Sequence, residues 1–173
     1  MQASYIRAMD ALQRACVVIA GASLLIITLI IPYGVFTRYV LNSAASWPEP
    51  MAILLMIWLS FLSAVVCYRE YLHIAVGVMP AILTGLPRTL LGLAIESCML
   101  FTNLFMLWYG MKLVQVTWYQ SIAEFPIMSV GASYLPVPIG GAITALFVIE
   151  RIWTGKFFPP PPSPDEISTV ATE

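Results

Sequence analysis

Glu96 is the one acidic residue that lies within a long apolar stretch of this chain. An ionisable side chain inside a membrane is costly, and such residues often mark proton or ion pathways. Small or polar residues occur around Glu96 at intervals of three, four or seven, which places them on one helix face: Thr89, Gly92, Asn103 and Gly110. A polar face of this kind is expected to meet other helices or a water-filled path. Glu96 is therefore a candidate ion or proton site, with helix packing as the alternative role for this glutamate.

The remaining residues offer little other chemistry. No lysine or arginine lies within another predicted span, so Glu96 has no evident counter-ion. His73 is the only histidine, and the three cysteines lie in or at the edge of apolar stretches without a C-x-x-C motif. A metal site is therefore not expected, and no cofactor or catalytic residue is predicted. A quinone-dependent thiol oxidoreductase would need paired cysteines in the loops 37–49 and 112–128, which contain none.

The elements that position Glu96 are four apolar stretches, at about 15–36, 50–68, 89–111 and 129–149. Each is long enough to cross a bilayer core, which requires about 20 residues of helix. Hydrophobic residues make up 60% of the chain and charged residues 10%, against roughly 25% charged in a soluble domain. The sequence predicts an all-α integral membrane protein with four transmembrane helices and short interfacial helices. With a net charge of −1 and no basic block, it gives no sign of nucleic-acid binding.

Three further segments flank or interrupt these spans. Residues 1–14 form an amphipathic N-terminal segment, predicted to lie on the membrane surface as a helix before the chain turns inward. The transmembrane domain is assigned to 15–156, and 157–173 is a proline-rich segment predicted to be a disordered tail. Segment 71–87 is ambiguous, because its apolar run is interrupted by glycine and proline. It fits either an interfacial helix and turn or a short fifth span.

The placement of lysine and arginine favours four spans with both termini in the cytoplasm. Cytoplasmic loops carry an excess of these residues. With four spans, the inside holds 6 of them and the outside 2, whereas five spans divide them 4 against 4. The six are Arg7, Arg14, Arg69, Arg88, Arg151 and Lys156, and the two are Arg38 and Lys112. The loops 37–49 and 112–128 are then periplasmic.

Small residues predict two packing faces. Ser60, Ser63 and Cys67 line one side of the second span, and Gly141 and Ala145 are four residues apart in the fourth. Such faces let helix backbones approach closely inside a membrane. The pattern leaves open whether each face meets another helix of this chain or another protein.

Several motifs occur in a fixed order at the span ends. They are Phe36-Thr37-Arg38-Tyr39, Trp47-Pro48-Glu49, the run Trp58 to Ala64, Arg69-Glu70-Tyr71-Leu72-His73-Ile74, and Leu135 to Gly140. In this order they resemble the small membrane subunit (Q subunit) of tripartite ATP-independent periplasmic, or TRAP, transporters. The family pattern reads F-x-R-Y, W-x-E-E, W-x-x-F-x-G-A and R-E-x-x-H-I. The resemblance covers 36–74 strongly and 115–151 weakly, with Pro50 replacing an acid and Ser63 replacing a glycine.

The resemblance implies a non-enzymatic subunit of a sodium-driven transporter for small organic acids in a bacterial inner membrane. Its partners would be a large membrane subunit, which it braces in a one-to-one complex, a periplasmic substrate-binding protein, which it would help to dock, and membrane lipids. Partner-interface or anchoring residues would come from the motifs: Arg38, Trp47, Glu49, Trp58, Arg69, Glu70 and His73. The alternative function is an autonomous four-helix, ion-coupled transporter that uses Glu96.

Overall fold

A computed structural model describes residues 2–43, 45–72, 85–122, 125–155 and 157–158, with backbone only for 2–4 and 125–127. Its elements, in chain order, are helices α1 (Gln2–Tyr39), α2 (Pro48–Arg69) and α3 (Leu86–Thr117), strands β1 (Ser121–Ile122) and β2 (Phe125–Ser129), and helices α4 (Val130–Tyr134) and α5 (Pro136–Thr154). Within the described ranges, four helical segments are long and apolar enough to cross a membrane: Tyr5–Tyr39, Pro48–Arg69, Leu86–Thr117 and Val130–Thr154. The prediction of an all-α protein with four transmembrane helices is confirmed.

The helices extend beyond the apolar stretches that predict them. α1 is continuous from Gln2, so residues 2–14 belong to the same helix as the first span and no turn separates the two. α3 continues past residue 111 to Thr117, into the predicted loop. Backbone groups must be hydrogen-bonded inside lipid, and a helix satisfies this need within its own segment. Because backbone hydrogen bonding does not require apolar side chains, α1 and α3 continue past the apolar stretches that hydropathy detects.

Local sequence explains where several helices begin and end. α2 starts with Pro48, whose missing N–H lies at a position that has no intrahelical partner in any case. The Ser129 hydroxyl accepts a 3.2 Å hydrogen bond from the Ala132 N–H and so caps α4. α5 ends at Gly155, whose φ of 68° is left-handed and whose N–H donates to the Arg151 carbonyl at 2.9 Å. Glycine adopts that conformation at no steric cost.

The bundle consists of two antiparallel helix pairs. α1 packs mainly on α2, α3 packs mainly on α5, and α2 joins the pairs by packing on α5. The core includes buried residues of α1, α2 and α5: Met9, Cys16, Ala20, Leu62, Val65, Tyr68, Phe147 and Val148. We call one end of the bundle the N-terminal end, where α1 and α3 begin and α2 and α5 end. The opposite end, which carries β1 and β2, is the hairpin end.

The polar face of α3 is buried as its spacing predicts, except at Thr89, which is exposed. The buried residues of this helix are Gly92, Glu96, Asn103, Gly110, Val114 and Thr117. A Cβ placed on Gly110 would lie 3.0 Å from the Pro138 side chain, and one on Gly141 would lie 2.9 Å from the Asn103 carbonyl oxygen. Glycine at these positions therefore allows α3 and α5 to approach closely.

The two predicted small-residue faces have different surroundings. Gly141 and Ala145 are buried in the bundle. On α2, by contrast, the buried residues in this part of the helix are Leu62, Val65 and Tyr68, and not the predicted small residues. Ser60 is exposed, and Ser63 and Cys67 are half-buried. The face with Gly141 and Ala145 is thus an internal packing surface, whereas the face on α2 is only partly covered by this chain.

Part of the predicted loop 112–128 is a small antiparallel sheet that the sequence reasoning did not foresee. β1 pairs with β2, with Ser121 opposite Ser129 and Ile122 opposite Phe125. Residues 73–84 and 159–173 lie outside the described part of the chain, as does His73. The two interpretations of 71–87 and the predicted disordered tail therefore stay predictions.

Candidate functional site

A cluster of charged and polar side chains ties all four long helices together at the N-terminal end. It consists of Asp10 and Gln13 from α1, Tyr68 and Arg69 from α2 with the adjacent Glu70, Glu96 from α3, and Glu150 and Arg151 from α5. We call this set the charge cluster. Neighbouring antiparallel helices begin and end at the same side of the membrane, so residues distant in sequence meet there.

Arg69 links three helices. Its guanidinium lies 2.7 Å from the Asp10 carboxylate and 3.1 Å from the Glu150 carboxylate. It also donates a 2.8 Å hydrogen bond to the Gln13 side-chain oxygen. Its guanidinium carbon lies 4.9 Å from the centre of the Phe147 ring, and only 13% of its side chain is exposed. The planar, multi-donor guanidinium is suited to bridging several acceptors in this way.

Glu96 is paired on both of its oxygens. The Arg151 guanidinium lies 3.3 Å from Oε1, and the Tyr68 hydroxyl donates to Oε2. The Glu96 side chain is 3% exposed, so the carboxylate is closed off from the surroundings by its partners. Such a pair compensates the large cost of removing a charge from water. The sequence expectation that Glu96 lacks a counter-ion was therefore wrong.

The physical reason is that α5 ends five residues later than the predicted fourth span. Hydropathy ends that span at residue 149, whereas α5 continues to Thr154 and carries Arg151 past the apolar stretch. Glu96 lies ten residues after the start of α3, at the same end of the bundle. Arg151, which hydropathy assigns to a loop, and Glu96, which it assigns to the membrane interior, thus meet within one cluster.

Arg151 also closes the C-terminal end of α2. Its guanidinium donates to the Tyr68 carbonyl oxygen in the last turn of α2, which also accepts a 3.3 Å hydrogen bond from the Tyr71 N–H. Its guanidinium carbon lies 4.1 Å from the Tyr68 ring centre and 3.8 Å from the Tyr71 ring centre. A cation near the C-terminus of a helix is also favoured by the helix dipole. Arg151 therefore connects α2, α3 and α5.

The rest of the charge cluster is more open. Glu70 is exposed, and its carboxylate accepts a 2.8 Å hydrogen bond from the Gln13 amide. Asp10 has 49% of its side chain exposed. Across the described residues, no buried side-chain nitrogen or oxygen lacks a hydrogen-bond partner. The cluster is thus a satisfied network that holds helices together.

Asn103 and Trp58 do not belong to the cluster. Asn103 is buried on the same face of α3 as Glu96, but its amide donates to the Met99 carbonyl oxygen of its own helix at 2.7 Å. Trp58 is half-buried in α2 and packs against the core. Asn103 thus satisfies its donor locally, and Trp58 contributes apolar contact.

Arg38, Trp47 and Glu49 lie at the hairpin end, far along α1 and α2 from Arg69. Arg38 and Glu49 are exposed and do not form an ion pair with each other or with another described residue. The Trp47 ring lies 5.6 Å from the Tyr33 ring, centre to centre. The structure therefore divides the motif residues: Arg69 and Glu70 join the charge cluster, whereas these three do not.

Sequence reasoning missed five members of the cluster: Asp10, Gln13, Tyr68, Glu150 and Arg151. The available signal was the position of Arg69-Glu70 and Glu150-Arg151 directly after two apolar stretches that end on the same side of the membrane. No group of three or more histidine, cysteine, aspartate or glutamate residues suited to a metal ion occurs in the described ranges.

Comparison with known proteins gives two findings. The family described as "Tripartite ATP-independent periplasmic transporters, DctQ component" matches residues 27–156. A relative from Haemophilus influenzae, named "Putative TRAP transporter small permease protein", is 26% identical over 153 residues. That similarity covers 85% of this chain and 91% of the relative. Both findings agree with the resemblance that the span-end motifs indicate.

Proposed function

Since the chain belongs to the family of DctQ components of tripartite ATP-independent periplasmic transporters, we propose that it is a rigid membrane brace for the large transport subunit. Members of this family are transporter permease subunits and not enzymes, so the chain is a non-catalytic, multi-pass membrane subunit. The observation that supports a bracing role is the charge cluster, which joins all four long helices at one end.

A brace must keep its helices in one arrangement while its partner moves. Arg69 and Arg151 each bond to residues of two other helices, so sliding a helix past its neighbours would break charged hydrogen bonds. Hydrogen bonds to charged groups contribute about 1.5–3 kcal/mol each. The network therefore opposes relative helix movement in this subunit.

The finer parts of the proposal follow the family resemblance. We infer that the complex is one-to-one with the large subunit, is driven by sodium, takes up small organic acids and receives them from a periplasmic binding protein. Broad apolar surfaces on α1 and α3 remain exposed in this chain alone, including Leu25, Leu29, Phe101 and Trp108. Such surfaces suit contact with lipid and with a large membrane partner.

The motif residues fall into two groups in this proposal. Arg69 and Glu70 stabilise the bundle from its N-terminal end. Arg38, Trp47 and Glu49 anchor the hairpin end at the membrane interface, where aromatic side chains are enriched. Trp58 supports the core. His73, which lies outside the described residues, is proposed as an anchoring residue from its motif.

Orientation is also part of the proposal: a bacterial inner membrane with both termini cytoplasmic. It rests on the excess of lysine and arginine at the N-terminal end of the bundle. Single cysteines replacing Ser43 and Ser121, in a background without native cysteines, should react with an impermeant maleimide in intact cells. A cysteine replacing Ser163 should react only after lysis, and its labelling before lysis would support the five-span interpretation instead.

The competing function, an autonomous transporter that uses Glu96, conflicts with the pairing of this residue. Both Glu96 oxygens are occupied by Arg151 and Tyr68, so binding an ion there requires breaking the network. A small transporter built on one intramembrane glutamate needs that carboxylate to bind and release its ion in turn.

Uptake into proteoliposomes distinguishes the two functions. Vesicles containing this chain alone should show no sodium-dependent uptake of organic acids, with or without the binding protein. Vesicles containing both membrane subunits and the binding protein should show it. Exposed Gln115→Ala is the matched control for Glu96→Gln, since both lie on α3. Sodium-dependent uptake by the chain alone, lost in Glu96→Gln but kept in Gln115→Ala, would establish the autonomous transporter instead.

A further inference from the structure

We propose that a cleft at the hairpin end binds one membrane phospholipid with a zwitterionic headgroup carrying a primary amine. The cleft lies between the last turns of α1 and the first turns of α2 and has a volume of about 350 Å³. Ligand sites in proteins commonly have volumes of about 300–1,000 Å³. The cleft is thus large enough to hold part of a lipid.

The inner part of the cleft is apolar. It is lined by Ile30, Ile31, Val35, Ala52 and Ile53. Ile31 precedes Arg38 by seven residues, which corresponds to about 10 Å along a helix. These side chains can cover the upper part of an acyl chain that runs along the two helices from the membrane surface.

α1 and α2 approach each other closely at the cleft. Gly34 and Pro48 both line it, and a Cβ placed on Gly34 would lie 3.3 Å from the Pro48 Cβ. The absence of a side chain at Gly34 therefore allows this close approach of the two helices.

The mouth of the cleft carries two opposite charges. Arg38 and Glu49 line it, both are exposed, and neither forms a hydrogen bond or an ion pair with any residue that the structure describes. A guanidinium binds phosphate oxygens through paired N–H donors. A carboxylate accepts hydrogen bonds from an ammonium group. Together they match a phosphate and a primary amine that belong to the same headgroup.

Aromatic residues place this mouth at the depth of lipid headgroups. Trp47 directly precedes α2, and its ring packs on Tyr33, which lies on α1 within the stretch that lines the cleft. Tryptophan and tyrosine are enriched where headgroups meet the hydrocarbon region. The charged mouth thus lies at the membrane surface, and the apolar part extends below it.

The charge pair also selects among lipids. Phosphatidylcholine has no N–H on its quaternary amine and cannot donate a hydrogen bond to Glu49. Phosphatidylglycerol is anionic and lacks a cation for this carboxylate. Phosphatidylethanolamine satisfies Arg38 with its phosphate and Glu49 with its ammonium. The expected order of retention is therefore phosphatidylethanolamine first, with the other two well below it.

Native mass spectrometry of the purified, delipidated full chain tests this order. The chain is mixed with equal amounts of the three phospholipids, which carry identical acyl chains. We expect the natural chain to retain one phosphatidylethanolamine and Arg38→Gln to lose affinity by about tenfold or more, since one charged hydrogen bond contributes at least about 1.4 kcal/mol. Glu49→Leu, which removes the hydrogen-bond acceptor, should abolish the preference for phosphatidylethanolamine over phosphatidylcholine.

Two matched controls separate the cleft from general effects. Lys112→Gln removes a second exposed cation at the hairpin end, where Lys112 lies over the Trp108 and Tyr109 rings, and should keep lipid retention. Ile31→Trp fills the cleft and should block retention, whereas Leu29→Trp changes an exposed position outside it and should not. The two tryptophan variants retain Arg38 and Glu49, so they still test lipid binding in the cleft if Arg38→Gln fails to fold.

Equal retention of the three lipids by the natural chain would overturn the proposal. So would unchanged retention in both Arg38→Gln and Ile31→Trp. The proposal is also wrong if the natural chain retains no lipid, whether the chain is isolated or in complex with the large subunit.

Discussion

Charged residues are buried and paired at one end of the helical bundle, and exposed and unpaired among the described residues at the other. At the N-terminal end, Arg69 and Arg151 are largely buried, and acidic residues from three helices neutralise them. At the hairpin end, Arg38 and Glu49 are exposed and stay unpaired among the described residues. Both ends carry arginine and glutamate in span-end motifs, so residue type alone does not account for the difference.

Burial accounts for it. Glu96 is buried and Arg151 is largely buried, so the fold must supply their partners, because an uncompensated buried charge is costly. Arg38 and Glu49 can use water, lipid headgroups or another protein. The comparison teaches that charges within a small membrane subunit hold the fold where they are buried, and are available for outside contacts where they are exposed.

The largest expected effect comes from breaking the buried pair. Arg151→Met leaves Glu96 buried without its counter-ion and removes the cap on the end of α2. Loss of one partner of a buried ion pair costs about 3–5 kcal/mol. The free energy of unfolding, measured by SDS titration in mixed micelles, should fall by that amount. Arg88→Met is the control, since Arg88 is exposed at the same end and stacks on Phe158.

A double variant sharpens this result. Glu96→Leu with Arg151→Met removes both charges, so it should be more stable than Arg151→Met alone. If the stability lost in the double variant equals the sum of the losses in the two single variants, the two charges are not coupled. That result would contradict the assigned role of the buried pair.

A smaller loss is expected for Arg69→Gln. This change removes the ion pairs to Asp10 and Glu150 but leaves the neighbouring Glu96–Arg151 pair in place. Because Asp10 is half exposed, we expect a loss of about 1–3 kcal/mol in the same titration. Arg14→Gln is the control, since Arg14 is exposed and bonds only within its own helix. Equal effects of the two changes would remove the bracing role from Arg69.

The smallest effect is expected at the hairpin end. In lipid-free detergent, Arg38→Gln should change the free energy of unfolding by about 0.5 kcal/mol or less, as for most exposed positions. Added phosphatidylethanolamine should then stabilise the natural chain but not the variant, since a ligand stabilises the state that binds it. A large decrease in the free energy of unfolding without lipid would mean that Arg38 stabilises the fold itself. The two ends of the bundle would then not differ in the way described.

Periodicity and hydropathy predicted much of this architecture. The spacing of Gly92, Glu96, Asn103 and Gly110 correctly identified the buried face of α3, since residues at such intervals lie on one side of a helix. The same face included Thr89, which is exposed because it lies near the start of the helix. The sequence did not predict β1 and β2, whose strands of two and five residues are short and include a proline in β2.

Pairing across the bundle is where sequence reasoning failed. Glu96 and Arg151 are 55 positions apart, and hydropathy places one inside a span and the other beyond one. Hydropathy measures the preference of a segment for lipid, whereas helix length depends on backbone hydrogen bonding that continues past the apolar core. A charge just outside one predicted span can therefore reach a charge inside another.

The sequence by itself determined that the chain crosses a membrane with four helices, which α3 face turns inward, and which transporter family its motifs resemble. These properties depend on composition and local spacing, which a single chain displays directly. Only the tertiary structure decided that Glu96 is neutralised by Arg151, that Arg69 joins three helices, and that Arg38 and Glu49 border an open cleft. Those outcomes depend on how antiparallel helices align their ends, and that alignment is set by contacts between residues far apart in the chain.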